Sequence, residues 1–349
     1  MVRAIARDVS LVSTMTASTA LRAVPVPWSE GAPAVRGLVP ALSWDLHKGQ
    51  SGRVGVVGGS FEYTGAPYYA AASTLAVGAD LCWVFCADAA AAPIKGYSPE
   101  LIVAPSYASG TRVFLDTVGP WVTGRGGHGL VLGPGLGRDA GVLAAAADLF
   151  ALDVPIVVDA DGLWLVARRP GLVRGRKDTV LTPNAPEFER LRCAVAPESD
   201  AGDAAAALVA VARALGGVTV VKKGPVDLIS DGTGDVLAVA GEPGCPRRCG
   251  GLGDVLSGTL CVLNARAAAL PTAAALQVRG GAPAEGGART AAGAPVWAAY
   301  AACVATRRAA AAAFARKRRA MTAPDVLDEL GAAFEGMCPT EVEGDPAEF

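Results

Sequence analysis

Residues 247–258 hold the densest chemistry in the chain. Arg247, Arg248, Cys249, Gly250, Gly251, Leu252 and Gly253 lead straight into Asp254, and an apolar helical pattern follows. Glycine loses more backbone entropy on ordering than any other residue, so three glycines before a helix need a reason. One reason is close approach to an anion: a glycine-rich turn entering a helix N-terminus aims several N–H groups and the positive end of the helix dipole at one point. A carboxylate beside that point can take a proton from a hydroxyl while the turn neutralises a phosphoryl group in transfer. By itself the segment is equally a glycine-rich turn capped by an acid.

A second glycine pattern lies earlier. Gly135, Leu136, Gly137, Arg138, Asp139 and Ala140 fit G-x-G-x-x-A after an apolar run, which makes a dinucleotide-dependent dehydrogenase a rival reading. That pattern expects an acid about twenty residues on. Asp159 and Asp161 stand near that distance, but both equally suit strand-end roles with Mg²⁺ or water, or solvated turns. No Gly-x-x-x-x-Gly-Lys-Ser/Thr run exists, so an ordinary P-loop is excluded. Lys222 and Lys223 end an apolar run and precede Gly224, Pro225, Val226 and Asp227, so one lysine is placed to reach a phosphate; a surface pair at a strand end is the alternative.

These residues need elements to position them. Short apolar runs at 54–57, 81–85, 130–132, 156–158, 179–181 and 218–221 alternate with Ala-rich stretches of helical length. Runs without internal alternation suit strands buried on both faces, as in parallel sheets. Strand alternating with helix predicts an α/β fold: a doubly wound, mostly parallel sheet with helices on both faces. Such sheets bind ligands beyond the carboxyl ends of their strands, and there the chain delivers Gly58, Gly59 and Ser60, then Gly133 to Gly137, Asp159, Asp161, Thr182, Asn184 and Lys223. Two further helices are predicted at 298–319 and 323–334, the second capped by Thr322.

Bulk properties narrow the function. With 349 residues, 52% hydrophobic and 18% charged, the chain can bury a large core. A net charge of −2 offers no basic surface for a nucleic-acid backbone, and charges interrupt every apolar stretch long enough to span a bilayer, so the expected ligand is a small molecule. The eight cysteines show no C-x-x-C spacing and read as small buried hydrophobes. Residues 1–40 carry Arg3, Arg7, Arg22 and Arg36 against Asp8 and Glu30, which reads either as an organelle transit peptide or as an unstructured extension. The location expected is thus mitochondrial, plastid or cytoplasmic. A single domain is expected over 41–340, interrupted by a low-complexity insertion at 265–295.

A glycine-glycine-x-glycine-aspartate hole late in the chain, after a lysine-glycine strand end, resembles the ribokinase-like superfamily. More narrowly, residues 48–60, 63–71, 97–101, 133–139, 159–164 and 181–184 resemble the ATP-dependent NAD(P)H-hydrate dehydratases, six motifs in family order. The resemblance implies that ATP phosphorylates the hydroxyl of a hydrated nicotinamide ring in NADHX or NADPHX, and that loss of phosphate restores NADH or NADPH, with Mg²⁺ screening the nucleotide. Carried over by motif, it places Gly135, Asn184, Ala185, Pro186, Glu187, Phe188, Glu189 and Arg190 at the hydrate. It places Lys223, Gly224, Pro225, Val226 and Asp227, together with Gly244, Cys245, Pro246, Arg247, Arg248, Cys249, Gly250, Gly251, Leu252 and Gly253, at ATP. Asp254 would touch the hydrate and act as base. A kinase of the same superfamily acting on a vitamin precursor or sugar is the nearest alternative, a non-catalytic nucleotide sensor a more distant one, and a homo-oligomeric state is left open.

Overall fold

In the computed structural model, residues 23–107, 114–270 and 293–344 are described. Ten strands form one sheet in the order β1-β11-β10-β9-β8-β7-β6-β3-β4-β5. The central strands are β3 (Arg53–Val57), β4 (Leu81–Ala87), β5 (Ile102–Tyr107), β6 (Gly129–Leu132), β7 (Ile156–Val158), β8 (Thr179–Leu181) and β9 (Thr219–Lys222). All of these pair in parallel. Only β10 (Leu228–Ser230) runs against its neighbours, β9 and β11 (Val236–Ala240). Val54, Val56, Val131, Val157 and Val180 are fully enclosed, as strands covered on both faces require.

Each face of the sheet carries its own apolar core. On one side lie helices Gly65–Ala76, Leu252–Ala269, Ala294–Lys317 and Ala323–Met337, and on the other Phe114–Arg125, Ala140–Asp148, Ala160–Arg168 and Ala204–Ala214. Gly258 lets two of these approach closely, because a Cβ there would stand 1.9 Å from the Ala70 carbonyl oxygen. Among the described residues no helix is long and apolar enough to cross a membrane.

The chain leaves β3 outward through β4 and β5, then returns to the other side of β3 as β6. That reversal is a topological switch, where open α/β sheets form their binding crevice. The loops after β3 and β6 touch there. Gly59 N–H donates to the Pro134 carbonyl at 3.0 Å, and a Cβ on Gly58 would lie 2.0 Å from the same oxygen.

The N-terminal boundary expected near residue 40 does not match the observed elements. β1 (Ala23–Pro27) pairs in parallel with β11, from Ala23 opposite Val236 to Pro27 opposite Ala240. Helix Trp28–Arg36 follows, with Val35 and Leu38 fully enclosed. Trp28 stacks on Tyr300 at 6.5 Å, and the Tyr300 hydroxyl donates to the Val26 carbonyl at 3.1 Å. Prolines at 25, 27 and 33 hide the strand and helix periodicity, and pairing with a distant strand supplies what local pattern lacks. Of the proposed 265–295 insertion, 265–269 belong to helix Leu252–Ala269 and 294–295 to the next helix, and 271–292 lie outside the described residues. Most of the transit-peptide reading falls on residues 1–22, also outside them.

Deleting residues 1–36 should therefore lower the melting temperature of the full chain by at least about 5 °C. The loss removes an edge strand and several enclosed side chains, each of which contributes roughly 1.5–3 kcal/mol. A melt unchanged by the deletion would return β1 to the status of a tail.

Candidate functional site

The glycine-rich turn ends at Gly251, whose φ of +94° serves as the N-cap of helix Leu252–Ala269. A side chain there is excluded twice, since a Cβ would come 2.6 Å from Ala323 Cβ and 2.8 Å from the Tyr69 ring. At Gly253 a Cβ would press on Lys223 Nζ at 3.2 Å and Asp159 Oδ2 at 3.6 Å. The first backbone bond of this helix joins Val255 N–H to the Gly251 carbonyl at 3.0 Å. Leu252 and Gly253 therefore present N–H groups with no acceptor one turn back, as an anion-binding helix start requires.

Asp254 occupies the first turn, beside a compact charge cluster. Lys223, at the end of β9, donates to Asp159 Oδ1 at 2.8 Å across the end of β8. Only 18% of the lysine side chain and 3% of the aspartate side chain are exposed. Burial pushes the Asp254 carboxyl up to about 8, helped by the neighbouring Asp159 and Glu187 charges and opposed by Lys223 and its own backbone N–H. Burial also raises Glu187, against the pull of the Asn184 N–H and of Lys223. For Lys223 burial works downward, but the touching Asp159 carboxylate outweighs it and holds the ammonium above its ordinary value. Ala160, between Asp159 and Asp161, has φ of +48°, a strained conformation for a residue with a Cβ.

Two cavities flank the first turn of this helix. One, of about 540 Å³, is lined by Asn184, Lys223, Gly224, Pro225, Asp227, Gly244, Cys245, Arg248, Cys249, Leu252 and Gly253, joined by Cys303, Thr306, Arg307 and Ala310 of helix Ala294–Lys317. Arg307 braces it: Nε donates to Asp227 Oδ2 at 2.7 Å, Nη2 to the Gly224 carbonyl at 2.7 Å and Nη1 to the Glu242 carbonyl at 3.0 Å. The other, of about 940 Å³, sits at the topological switch, lined by Ser60 to Tyr63, Tyr107, Gly135 to Asp139, Ala160, Asp161 and Asp254. Gly253 faces one cavity and Asp254 the other.

The candidate residues do not all converge. Gly135 and Asp254 share the larger cavity, whereas Asn184 lines the smaller. Asn184 and Glu187 cap helix Ala185–Val195 reciprocally, at 3.0 and 2.9 Å. Ala185 and Pro186 are exposed at the start of that helix. Phe188 is core, Glu189 pairs with Arg192 at 2.7 Å, and Arg190 lies 4.8 Å over the Trp164 ring. Val226 and Pro246 are exposed, and Arg247 donates to the Met321 carbonyl at 3.3 Å. Gly250 has open space where a side chain would stand.

Sequence reasoning missed Cys303, Thr306 and Arg307, which sit in an apolar helical pattern that announces only a core helix, and left Asp159 undecided until its partner Lys223 appeared. The dinucleotide reading of Gly135 and Gly137 meets an obstacle. Asp139 caps helix Ala140–Asp148 by accepting from Gly141 N–H at 2.9 Å and Val142 N–H at 3.0 Å, so a carboxylate holds the place that a pyrophosphate would take.

A family profile described as NAD(P)H-hydrate dehydratase matches residues 54–331. An ATP-dependent (S)-NAD(P)H-hydrate dehydratase of Homo sapiens is 45% identical over 311 residues, covering 88% of this chain and 84% of that protein. Another, from Batrachochytrium dendrobatidis, is 42% identical over 333 residues, covering 87% and 97%. The fold is similar to a Bacillus subtilis ADP/ATP-dependent NAD(P)H-hydrate dehydratase co-crystallised with ATP/Mg²⁺, with a TM-score of 0.62 at 19% identity over 92% of this chain and all of that one.

The charge cluster predicts a stability signature. Asp254 has a folded value near 8, above the ordinary carboxylate range, so its protonated form is favoured on folding and its contribution falls as pH rises toward 8. The Asp254→Asn variant lacks this titration. Its melting temperature relative to the unsubstituted protein should rise between pH 5 and about 8 and level off above. A difference that stays flat across that window would remove the carboxyl from its buried setting.

Proposed function

The chain belongs to the NAD(P)H-hydrate dehydratase family, and from that premise we propose that it restores NADH and NADPH from NADHX and NADPHX at the expense of ATP, with Asp254 as the base. The observation that carries this reading is that consecutive residues, Gly253 and Asp254, line different cavities. A phosphoryl donor held by the glycine turn and a hydroxyl held at the switch point would face each other across one peptide unit.

The smaller cavity suits the nucleotide, since Lys223 and the N–H groups of Leu252 and Gly253 oppose phosphate charge while Pro225, Leu256 and Ala310 offer apolar walls. Asp254, as carboxylate, accepts the proton of the ring hydroxyl as that oxygen bonds to the γ-phosphorus and ADP departs. The phosphorylated ring then loses phosphate from one carbon and a proton from the next, which restores the double bond. Arg307 keeps Gly224 and Asp227 in register beneath the donor.

Among the described residues no group of three or more His, Cys, Asp or Glu forms a metal cage. Mg²⁺ is held largely by nucleotide phosphates with one or two carboxylates. Asp159, whose Oδ2 faces Gly253, and Glu187, which shares the field of Lys223 and Asp254, would be the carboxylates to hold it. Bound Mg²⁺ would neutralise charge building on the transferring phosphoryl group.

The experiment is an assay of hydrate, ATP and enzyme followed at 340 nm, with phosphate measured in parallel. Return of absorbance with one phosphate per turnover is expected, and a stable phosphorylated organic product would favour the kinase alternative. Asp254→Asn should lower kcat roughly 10²–10⁴-fold. ATP affinity should change far less, because the turn binds through backbone N–H groups that the substitution leaves in place. A stable Asp254→Asn protein with near-normal turnover would sink the mechanism.

The pH profile is a separate check. A base whose carboxyl sits near 8 in the free enzyme is mostly protonated at neutral pH, so kcat/KM for hydrate should climb with pH through a limb near 8. Lys223→Met removes the charge that opposes that rise and should move the limb to higher pH. A limb in the ordinary carboxylate range would exclude Asp254 as its source.

A further inference from the structure

Phe61 is 82% exposed, the highest exposure of any large apolar side chain among the described residues, and it lines the 940 Å³ cavity that also holds Asp254. An exposed phenyl ring on a rigid support binds a partner at lower entropic cost than one on a loose loop, because its orientation is set before any ligand arrives. The support here is rigid. Ser60 and Tyr63 exchange backbone hydrogen bonds, each at 3.2 Å, which closes a tight turn with Phe61 and Glu62 at its apex. The turn's base is tied to three strand ends. Gly58 N–H donates to the Phe85 carbonyl at 3.0 Å, Gly59 N–H to the Pro134 carbonyl at 3.0 Å, and the Tyr107 hydroxyl to the Gly59 carbonyl. No ring among the described residues packs on Phe61.

We infer that Phe61 is a stacking platform for the adenine ring of the dinucleotide substrate, an inference that rests on the proposed function. The cavity has two ends of different character. Asp254 is partly buried and directly follows Gly253 of the smaller cavity, so the reacting ring and its hydroxyl belong at that end. Phe61 is the solvent-exposed part of the same lining. A dinucleotide with its nicotinamide half against Asp254 delivers its adenine half outward, toward Phe61. The choice of ring follows from chemistry as well: hydration breaks the conjugation of the dihydronicotinamide, whereas adenine keeps a full aromatic face. Stacking tolerates an open, wet setting and adds affinity without touching the reacting atoms.

Steady-state kinetics with two substrates test this. Phe61→Ala should raise the KM for NADHX roughly 5- to 150-fold, the range of one lost base–aromatic stack. It should leave kcat, the KM for ATP and the melting temperature near their original values, since Phe61 touches neither ATP nor the core. Phe61→Tyr should restore the original KM. With the hydrate of reduced nicotinamide mononucleotide, which has no adenine, Phe61→Ala should change nothing. An unchanged KM for NADHX in Phe61→Ala overturns the inference and leaves the proposed function standing. An equal rise for the mononucleotide hydrate also overturns it, because the contact would then be to another part of the substrate. If the unsubstituted protein turns over no hydrate with ATP, the proposed function falls and the stack falls with it.

Discussion

The ion pair between Lys223 and Asp159 is the contact on which the site depends. Two carboxylates, Asp159 and Asp254, approach each other in a poorly solvated corner, and both cannot ionise there without a cation. Lys223 supplies one and binds Asp159 directly, so Asp254 is left with the weaker share of its field and an elevated proton affinity. That division assigns the roles: Asp159 is tied to the lysine, and Asp254 is the carboxyl free to exchange a proton. Glycine at 253 is part of the same arrangement, because a Cβ there would crowd the Lys223 ammonium at 3.2 Å.

The pair exists because parallel strands β7 and β9, separated by β8, end at the same edge. The helix carrying Asp254 reaches that edge by packing against helix Gly65–Ala76, an approach that needs Gly258. Arg307 closes the far side by holding the Lys223–Asp227 segment through a side chain and a carbonyl. The site is thus assembled from elements that share no local sequence.

The N-terminal segment shows the limit of local pattern. Residues 23–36 contain three prolines and little periodicity, yet they extend the sheet beside β11 and stack Trp28 on Tyr300. Nothing in the local order of these residues announces the partner, since the pairing strand lies more than two hundred residues away. Strands β5, β10 and β11 also escape the reading of apolar runs: Ile102–Tyr107 contains a proline, Leu228–Ser230 has only three residues, and both β10 and β11 are flanked by turn residues.

What the sequence by itself determined is the set of properties that local physics controls. Unbroken Val-rich runs mark strands covered on both faces, and the runs at 156–158 and 179–181 coincide with β7 and β8. Glycines at 251 and 253 before Asp254 mark positions of close approach, and six ordered motifs identify the family. Tertiary structure alone decided which polar residues meet. Within one motif, Asn184 caps its own helix and also lines the smaller cavity, Glu187 completes that cap and Arg190 lies on Trp164, whereas Arg307 and Thr306, invisible in an alanine-rich helix, line the cavity beside Asn184. The physical reason is that backbone propensity acts over a few residues, while burial and charge pairing act between groups that only folding brings within a few ångströms.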